Sequence, residues 1–513
     1  MSSIPVIIVG AGMGGLAAAI DLAAQGIETC VIERAAAPGG KMREVMVDGY
    51  PIDAGPTVLT MRWVFEDLFA DAGAVPADQL GLRPATVLAR HAWSERERLD
   101  LHADLARSAE AIAAFAGPAE GRRYREFCRS ARGIFETLDH SFIRAARPGP
   151  FELSRRVGLR RIGDLWRIQP FRSFWSALGQ HFEDPRLRQL FGRYATYCGS
   201  SPFHAPATLA LIAHVEQAGV WLVDGGMHRL ATALADLANR CGARFRYGSE
   251  VSELLIERGR VAGVRLATGE RLAARAVVLN ADAAALAAGC FGPAVAAAVP
   301  ALPPAQRSLS ALTWKLRART AGFPLLRHTV FFSADYAAEF SDLFAHRRLP
   351  GGPTVYVCAQ DRADVDTAAP AGAERLLCLV NAPATGDAGG PSMAEIERCE
   401  ERSFGLLERC GLAIERDPAS TVLTGPAQFE RLFPATGGAL YGRASHGWRA
   451  AFLRPGSRTA VPGLFLAGGS AHPGPGVPMA TLSGRLAASS LIEDLASTSR
   501  SQRVATPGGI STR

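Results

Sequence analysis

Six residues near the N-terminus, Gly10-Ala11-Gly12-Met13-Gly14-Gly15, constrain this chain more than any other feature. They satisfy the spacing G-x-G-x-x-G, and their surroundings give that spacing meaning. Residues 6–9 (VIIV) before them are wholly apolar, as in a central parallel strand. Residues 16–24 after them are rich in alanine and leucine and run to Gly26, as in a helix closed by a glycine C-cap. A second apolar run, 27–32, ends in Glu33, 23 residues beyond Gly10. Strand, glycine turn, helix, strand and acid together make a dinucleotide-binding unit. In such a unit Gly10 permits the tight turn, Gly12 lets the backbone approach a pyrophosphate, and Gly15 lets the helix pack on the strand. The helix N-terminus offers unpaired N–H groups to the phosphates. Glu33 is placed to accept from ribose hydroxyls and would repel a 2′-phosphate. A chance cluster in a chain with 53 glycines would not bring the flanking elements in this order.

The rest of the composition narrows the class. At 513 residues the chain is long enough for two or three domains. A hydrophobic share of 48% with 20% charged residues excludes a disordered chain, a collagen and a disulfide miniprotein. The nine cysteines form no C-x-x-C pair, so neither a zinc knuckle nor a thioredoxin-like motif is present, and no metal site is expected. Nothing in the cysteine usage demands an oxidising compartment, and no basic leader precedes the first strand, so a cytoplasmic location is expected. No stretch reaches the roughly 20 uninterrupted apolar residues of a spanning helix. The best candidate, 205–223, carries His214, Glu216 and Gln217 near its centre. Any membrane contact is therefore expected to be peripheral.

More glycine-rich segments follow the first. Pro38-Gly39-Gly40-Lys41 comes soon after Glu33, and then Asp53-Ala54-Gly55-Pro56-Thr57. Near the C-terminus, 461–467 read as turn and strand and enter Gly468-Gly469-Ser470-Ala471-His472-Pro473-Gly474-Pro475-Gly476-Val477-Pro478, with a probable helix after it. These segments resemble those of glutathione-reductase-like flavoproteins. The resemblance implies FAD, with Gly40 and Lys41 along its pyrophosphate and Gly55, Pro56 and Thr57 close to the flavin. It also implies an adenine contact through the backbone of Val251. Gly468, Gly469, Gly476, Val477 and Pro478 would bring backbone N–H groups to the isoalloxazine and ribityl phosphate. Ser470 stands where most amine-oxidase-like flavoproteins have an aspartate.

Taken with Gly225-Gly226-Met227 and Asn280-Ala281-Asp282, these motifs resemble the carotenoid desaturases related to bacterial phytoene desaturase, nearly end to end. Within that family the chain is most similar to the 1-hydroxycarotenoid 3,4-desaturases, or methoxyneurosporene dehydrogenases. The pointers are 53–60 (DAGPTVLT) with Arg62-Trp63-Val64-Phe65, 194–203 (YATYCGSSPF), 437–442 (GGALYG) and 478–484 (PMATLSG). The implied fold is α/β: a Rossmann FAD-binding domain interleaved with an α+β substrate domain and a helical membrane-facing part. Residues 1–65, 221–290 and 456–496 would form the FAD domain, 66–220 and 291–455 the substrate side, and 497–513 a disordered tail. The implied reaction puts a C–C double bond, at 3,4, into an acyclic 1-hydroxy- or 1-methoxy-carotenoid. The flavin would take the hydride, and the electron acceptor stays open among oxygen, quinone and another carrier. The alternatives are a phytoene desaturase acting on the central chain, a flavin amine oxidase, and a flavin-free prenyl-lipid escort protein.

Polar candidates at such a site are few. His472 either orients substrate or braces its loop, and Arg132 matches an arginine proposed as functional in phytoene desaturases. Tyr194, Tyr197, Tyr441 and His446 are candidates to meet a terminal hydroxy or methoxy group. Lys315, the only lysine besides Lys41, is the one available for the flavin-side role that many amine oxidases give to lysine. Residues 144–172 hold eight arginines (144, 147, 155, 156, 160, 161, 167 and 172) against Glu152 and Asp164, interleaved with aromatic and aliphatic residues such as Phe151 and Phe171. That mixture suits either an interfacial segment on anionic lipid or a solvated amphipathic helix. Without an accompanying motif it does not suit nucleic acid.

Overall fold

The structure is a computed structural model that describes residues 4–76, 79–158, 168–365 and 370–504, with backbone only for 498–504. The apolar run at the N-terminus forms the strand Val6–Val9, and it becomes the centre of a five-stranded sheet. All neighbours are parallel: Leu464–Leu466, Ala276–Leu279, Val6–Val9, Thr29–Ile32 and Arg244–Arg246, in that order across the sheet. Covered on both faces, its inner strands have no need of polar alternation, and Ala276–Leu279 (AVVL) is buried throughout. The strand order reverses beside Val6–Val9, which is where such sheets open a crevice for ligand. A three-stranded antiparallel sheet, Val251–Glu257, Arg260–Leu266 and Arg271–Ala273, lies over one side.

The helix after the glycine turn begins at Met13 and ends at Ala24, so Gly14 and Gly15 sit in its first turn. It packs against the C-terminal helix Val477–Val504. The contact is backbone to backbone: a Cβ on Gly484 would stand 2.0 Å from the Gly14 carbonyl oxygen. That helix runs through 497–504, so this part of the expected tail is helical. Residues 505–513 lie outside the described residues.

The second large sheet has seven strands in the order Thr421–Thr424, Ser310–Ala318, Glu374–Ala382, Val355–Ala359, His328–Phe331, Val87–Ala92 and Arg98–His102. Every pairing is antiparallel except that of His328–Phe331 with Val87–Ala92. Helix Met393–Arg409 buries Ile396, Cys399, Phe404 and Leu407 against one face. A layer built from Pro118–Leu138, Phe174–His181 and Pro185–Gly192 shares a core with Val330 and Phe332 on the other. The sequence reads 66–220 as mostly helical, yet Val87–Ala92 and Arg98–His102 from that stretch complete the sheet edge. Among the described residues no helix is long and apolar enough to cross a membrane.

Candidate active site

A cavity of about 730 Å³ runs from the crevice of the parallel sheet to the seven-stranded sheet and its helical layer. Its first end is lined by Gly10, Gly12, Gly14, Glu33, Gly40, Lys41, Gly55, Pro56, Thr57, Val251, Gly468, Gly469, Gly476, Val477 and Pro478. Residues from the start, the middle and the end of the chain thus meet at one place. Gly15 stands behind them, where a Cβ would come 2.0 Å from the Gly10 carbonyl oxygen. One residue organises the cradle: Asn280 donates to the Gly10 carbonyl at 3.3 Å, and a Cβ on Gly12 would lie 2.7 Å from its Nδ2. Gly12 caps the helix without a side chain, so the first-turn N–H groups face the cavity open to an anion. Glu33 is held at the strand end by the N–H groups of Ala11 (2.7 Å) and Ala35 (2.8 Å). The glycine cradle, the open amides and the fixed acid fit a dinucleotide.

Lys41 lines the cavity beside Gly40 and is also tied across it. Its Nζ donates to the Leu440 carbonyl at 2.7 Å and lies over the Phe433 ring, so it clamps the 433–440 segment across the cavity. Burial holds its pKa below the ordinary lysine value, against the pull of Asp282. Asp53 is a structural acid: its carboxylate takes the N–H groups of Met227 (2.7 Å) and His228 (3.1 Å) at the start of helix His228–Arg240. Gln360 grips the Asp53 peptide from both sides, at 3.0 and 2.9 Å, and so ties the two halves of the molecule beside Gly55-Pro56-Thr57. Ser470 accepts the Ala283 N–H at 3.0 Å. Arg454, almost fully buried, donates to the carbonyls of Tyr441 (3.0 Å) and Gly469 (3.3 Å) and so locks the C-terminal glycine loop.

His472, followed by a cis peptide bond to Pro473, is a brace. Its Nε2–H donates to the carbonyls of Ala145 (2.8 Å) and Phe142 (3.0 Å), and burial pushes its pKa down to about 4, so the ring is neutral. It does not line the cavity, though Pro473 does. His446 likewise lies behind the wall, where its Nε2 accepts the Ser201 N–H at 3.0 Å. Arg132 is exposed on helix Pro118–Leu138, pairs with Glu136 one turn later at 2.7 Å, and is absent from the cavity. Lys315 points into the sheet, held by Thr313 and Thr424, and is not at the nucleotide end.

The other end of the cavity is mostly apolar, with Leu138, Phe142, Ile143, Leu153, Ile168, Leu209, Ile212, Leu377 and Leu379 in its wall. Where this wall meets Thr57 of the first end stands a polar cluster, in which the sequence reading names Tyr197 and Thr57 as candidate contacts but not Arg193, Tyr356 or His328. Arg193 lies over the rings of Tyr197 (5.4 Å) and Tyr356 (5.5 Å). The Tyr197 hydroxyl bonds to Glu216. The Tyr356 hydroxyl joins Thr57 Oγ1 and His328 Nδ1, each at 2.7 Å. Burial opposes the charge on Arg193, but neighbouring Tyr197 and Glu216 oxygens outweigh it and hold its pKa above the ordinary value. Burial raises Glu216, against its bonds to Tyr194 and Tyr197. One signal was legible: Glu216 breaks the most apolar stretch of the chain, and a charge there is kept only where something pairs it. Tyr441 also lines the cavity, its phenol pushed up to about 12 by burial.

Comparison with known proteins agrees with this geometry. The model of the flavin containing amine oxidoreductase family matches residues 13–492. A hydroxyneurosporene desaturase of Rubrivivax gelatinosus is 55% identical, over 99% of this chain and 97% of its own. One of Cereibacter sphaeroides is 46% identical over 96% and 99%. A 1-hydroxycarotenoid 3,4-desaturase of a Flavobacterium species is 29% identical over 94% and 98%. Among solved structures, putrescine oxidase bound to putrescine superposes with a TM-score of 0.58 at 16% identity, covering 96% of this chain and 99% of the other. Cyclohexylamine oxidase of Brevibacterium oxydans gives 0.55 at 18%, over 96% and 100%. These last two share the fold. The chain belongs to the flavin containing amine oxidoreductase family and, within it, to the carotenoid desaturases.

Proposed function

We propose that this FAD-dependent oxidoreductase desaturates the C3–C4 bond of an acyclic carotenoid that carries a 1-hydroxy or 1-methoxy group. The observation that carries the reading is the cavity itself: an apolar tube, joined to a dinucleotide cradle, with a polar cluster set into its wall. The names of the similar desaturases support it. Bound FAD would supply the hydride acceptor, while the second hydrogen leaves as a proton. Gly10, Gly12, Gly14 and Gly40 would hold its phosphates, Glu33 its ribose, the Val251 backbone its adenine, and the loops at 55–57 and 468–478 its flavin end. The remaining work of the protein is to place one bond of a flexible chain and to exclude water. Burial at ~0.8 kcal/mol per CH₂ makes affinity easy, so positioning is the selective task. We take 1–65, 221–290 and 456–496 as the cofactor unit and the interleaved segments as the substrate unit.

We also infer that the cavity mouth rests on a membrane surface. Leu153, Ile168, Pro170, Trp448 and Phe452 line the cavity where Phe151 (83% exposed), Phe171 (67%) and Leu453 (48%) project outward. Trp448 packs edge-on to Phe171 at 5.4 Å, so these residues form one aromatic rim. A water-insoluble polyene would pass from bilayer to tunnel across it. The described arginines of 144–172 are partly engaged inside the protein. Arg144 stacks on Trp63 and pairs with Asp139, and Arg156 pairs with Glu152. Arg160, Arg161 and Arg167 lie outside the described residues.

The test is product identification. Flavin-loaded enzyme in liposomes with 1-hydroxyneurosporene is expected to yield a product lighter by two hydrogens, with the new double bond at C3–C4. Desaturation confined to the chain centre would instead make this a phytoene-desaturase-like enzyme.

A further inference from the structure

The polar cluster in the cavity wall has a chemistry of its own. Arg193 opens the short helical segment Arg193–Cys198, one turn before Tyr197, and its guanidinium lies between the Tyr197 and Tyr356 rings. Among the described residues no carboxylate forms an ion pair with it, and Glu216, the acid in this wall, is bonded to the Tyr197 hydroxyl. The guanidinium is held by the Tyr197 oxygen and two aromatic rings, with Glu216 nearby, and the further N–H donors of its planar fork line a tube that is otherwise mostly apolar, where an added acceptor is favoured. Tyr356 links this fork to the flavin side, because its hydroxyl bonds to Thr57 of the Asp53–Thr57 segment.

We propose that Arg193 is the residue that reads the oxygen at the end of the substrate. The proposal rests on the C3–C4 reading above and adds a constraint to it. An oxygen on C1 is three bonds from C3, about 4 Å at full extension. Its partner must therefore stand beside the reacting carbons, at the end of the tube next to the flavin. Arg193 lies over Tyr356, whose hydroxyl bonds to Thr57 at the nucleotide end, whereas His446 and Arg132 lie outside the cavity. The arrangement accepts both expected substrates. A methoxy oxygen only accepts a hydrogen bond, which Arg193 donates. A hydroxyl can also donate, and Glu216 is the acceptor at hand. A hydrocarbon end would displace water from the cavity-facing N–H groups without replacing its hydrogen bond, and that penalty is the discrimination.

The experiment compares neurosporene with and without a 1-hydroxyl on the flavin-loaded parent, Arg193→Met and Arg193→Lys, in liposomes. Flavin content from the visible spectrum and product position are recorded for each. Arg193→Met is expected to lose about 5- to 150-fold in kcat/KM on the hydroxylated substrate. Its rate on the hydrocarbon should hold or rise, while Arg193→Lys keeps part of the preference. A Met variant with an unchanged preference, or with an equal loss on both substrates at full flavin content, overturns the assignment of Arg193. A parent that desaturates elsewhere than C3–C4 overturns the reading beneath it, and the product analysis shows which has failed.

Discussion

Lys315 shows how context sets the role of a single residue. Its charge can be stated as chemistry from the sequence, but its neighbours cannot. The side chain is fully buried, with Nζ 3.2 Å from the Thr313 carbonyl and 3.1 Å from its hydroxyl. Burial, with Arg43 nearby, lowers its pKa from 10.5 to about 7. Below pH 7 both folded and unfolded chains carry the proton, and the folded state bears the cost of a buried cation. Between pH 7 and 10.5 the folded state sheds the proton while the unfolded chain keeps it, so this residue's penalty falls as pH rises. Lys315→Met is therefore expected to raise Tm at pH 6–7 relative to the parent, with the gap narrowing towards pH 10. A gap that is constant across that range would show that burial does not shift the Lys315 titration in this way. The same contrast holds for His472, a titratable residue whose two carbonyl partners make it a neutral strut.

At the scale of elements, the segment around 144–172 reads differently once its neighbours are in place. The sequence sets eight arginines against two acids, whereas folding brings Asp139 and Asp67 to Arg144. On helix Pro150–Val157, Arg155 and Arg156 both bond to Glu152, at 2.8 and 2.9 Å. Arg144 is thus neutralised by acids from outside the stretch, Arg155 stays exposed beside Glu152, and the exposed aromatics Phe151 and Phe171 stand with it. Replacing Phe151, Phe171 and Trp448 together by serine is expected to weaken partition onto anionic vesicles at least about 10-fold, because each aromatic buries roughly 1.5–3 kcal/mol of apolar surface. High salt should weaken it less than eight free arginines would suggest. Cosedimentation equal to that of the parent would remove the rim from the membrane argument.

The whole molecule is held together where its cofactor belongs. Strands from residues 6–9, 276–279 and 464–466 are neighbours in the parallel sheet, and loops after each of them line the cavity. FAD bound in this cradle would join segments more than 400 residues apart in the chain. A ligand that binds only the folded state at a hundredfold excess over Kd stabilises it by about 2.7 kcal/mol. Deflavinated protein is therefore expected to melt several degrees lower than holoenzyme, and added FAD should restore the Tm. Identical melting curves with and without FAD would contradict a cofactor gripped from both ends of the chain.

What the sequence determined by itself is the cofactor half. Glycine spacing, flanking apolar runs and Glu33 are local, and each has a mechanical reason that holds before any long-range contact forms. The helix Met13–Ala24 and the strands beside it follow directly. The polar part of the substrate end was decided by tertiary structure. Arg193, Glu216, Tyr356 and Thr57 lie far apart in sequence, carry no shared spacing, and acquire meaning only when a helix, a sheet strand and a loop enclose one cavity. The same holds for residues moved out of the site. Arg132, His446 and His472 had suitable side chains, but packing turned one to solvent and two to backbone partners. A motif records contacts to a chain's own neighbours, whereas the wall of a tunnel is the product of distant segments brought into register.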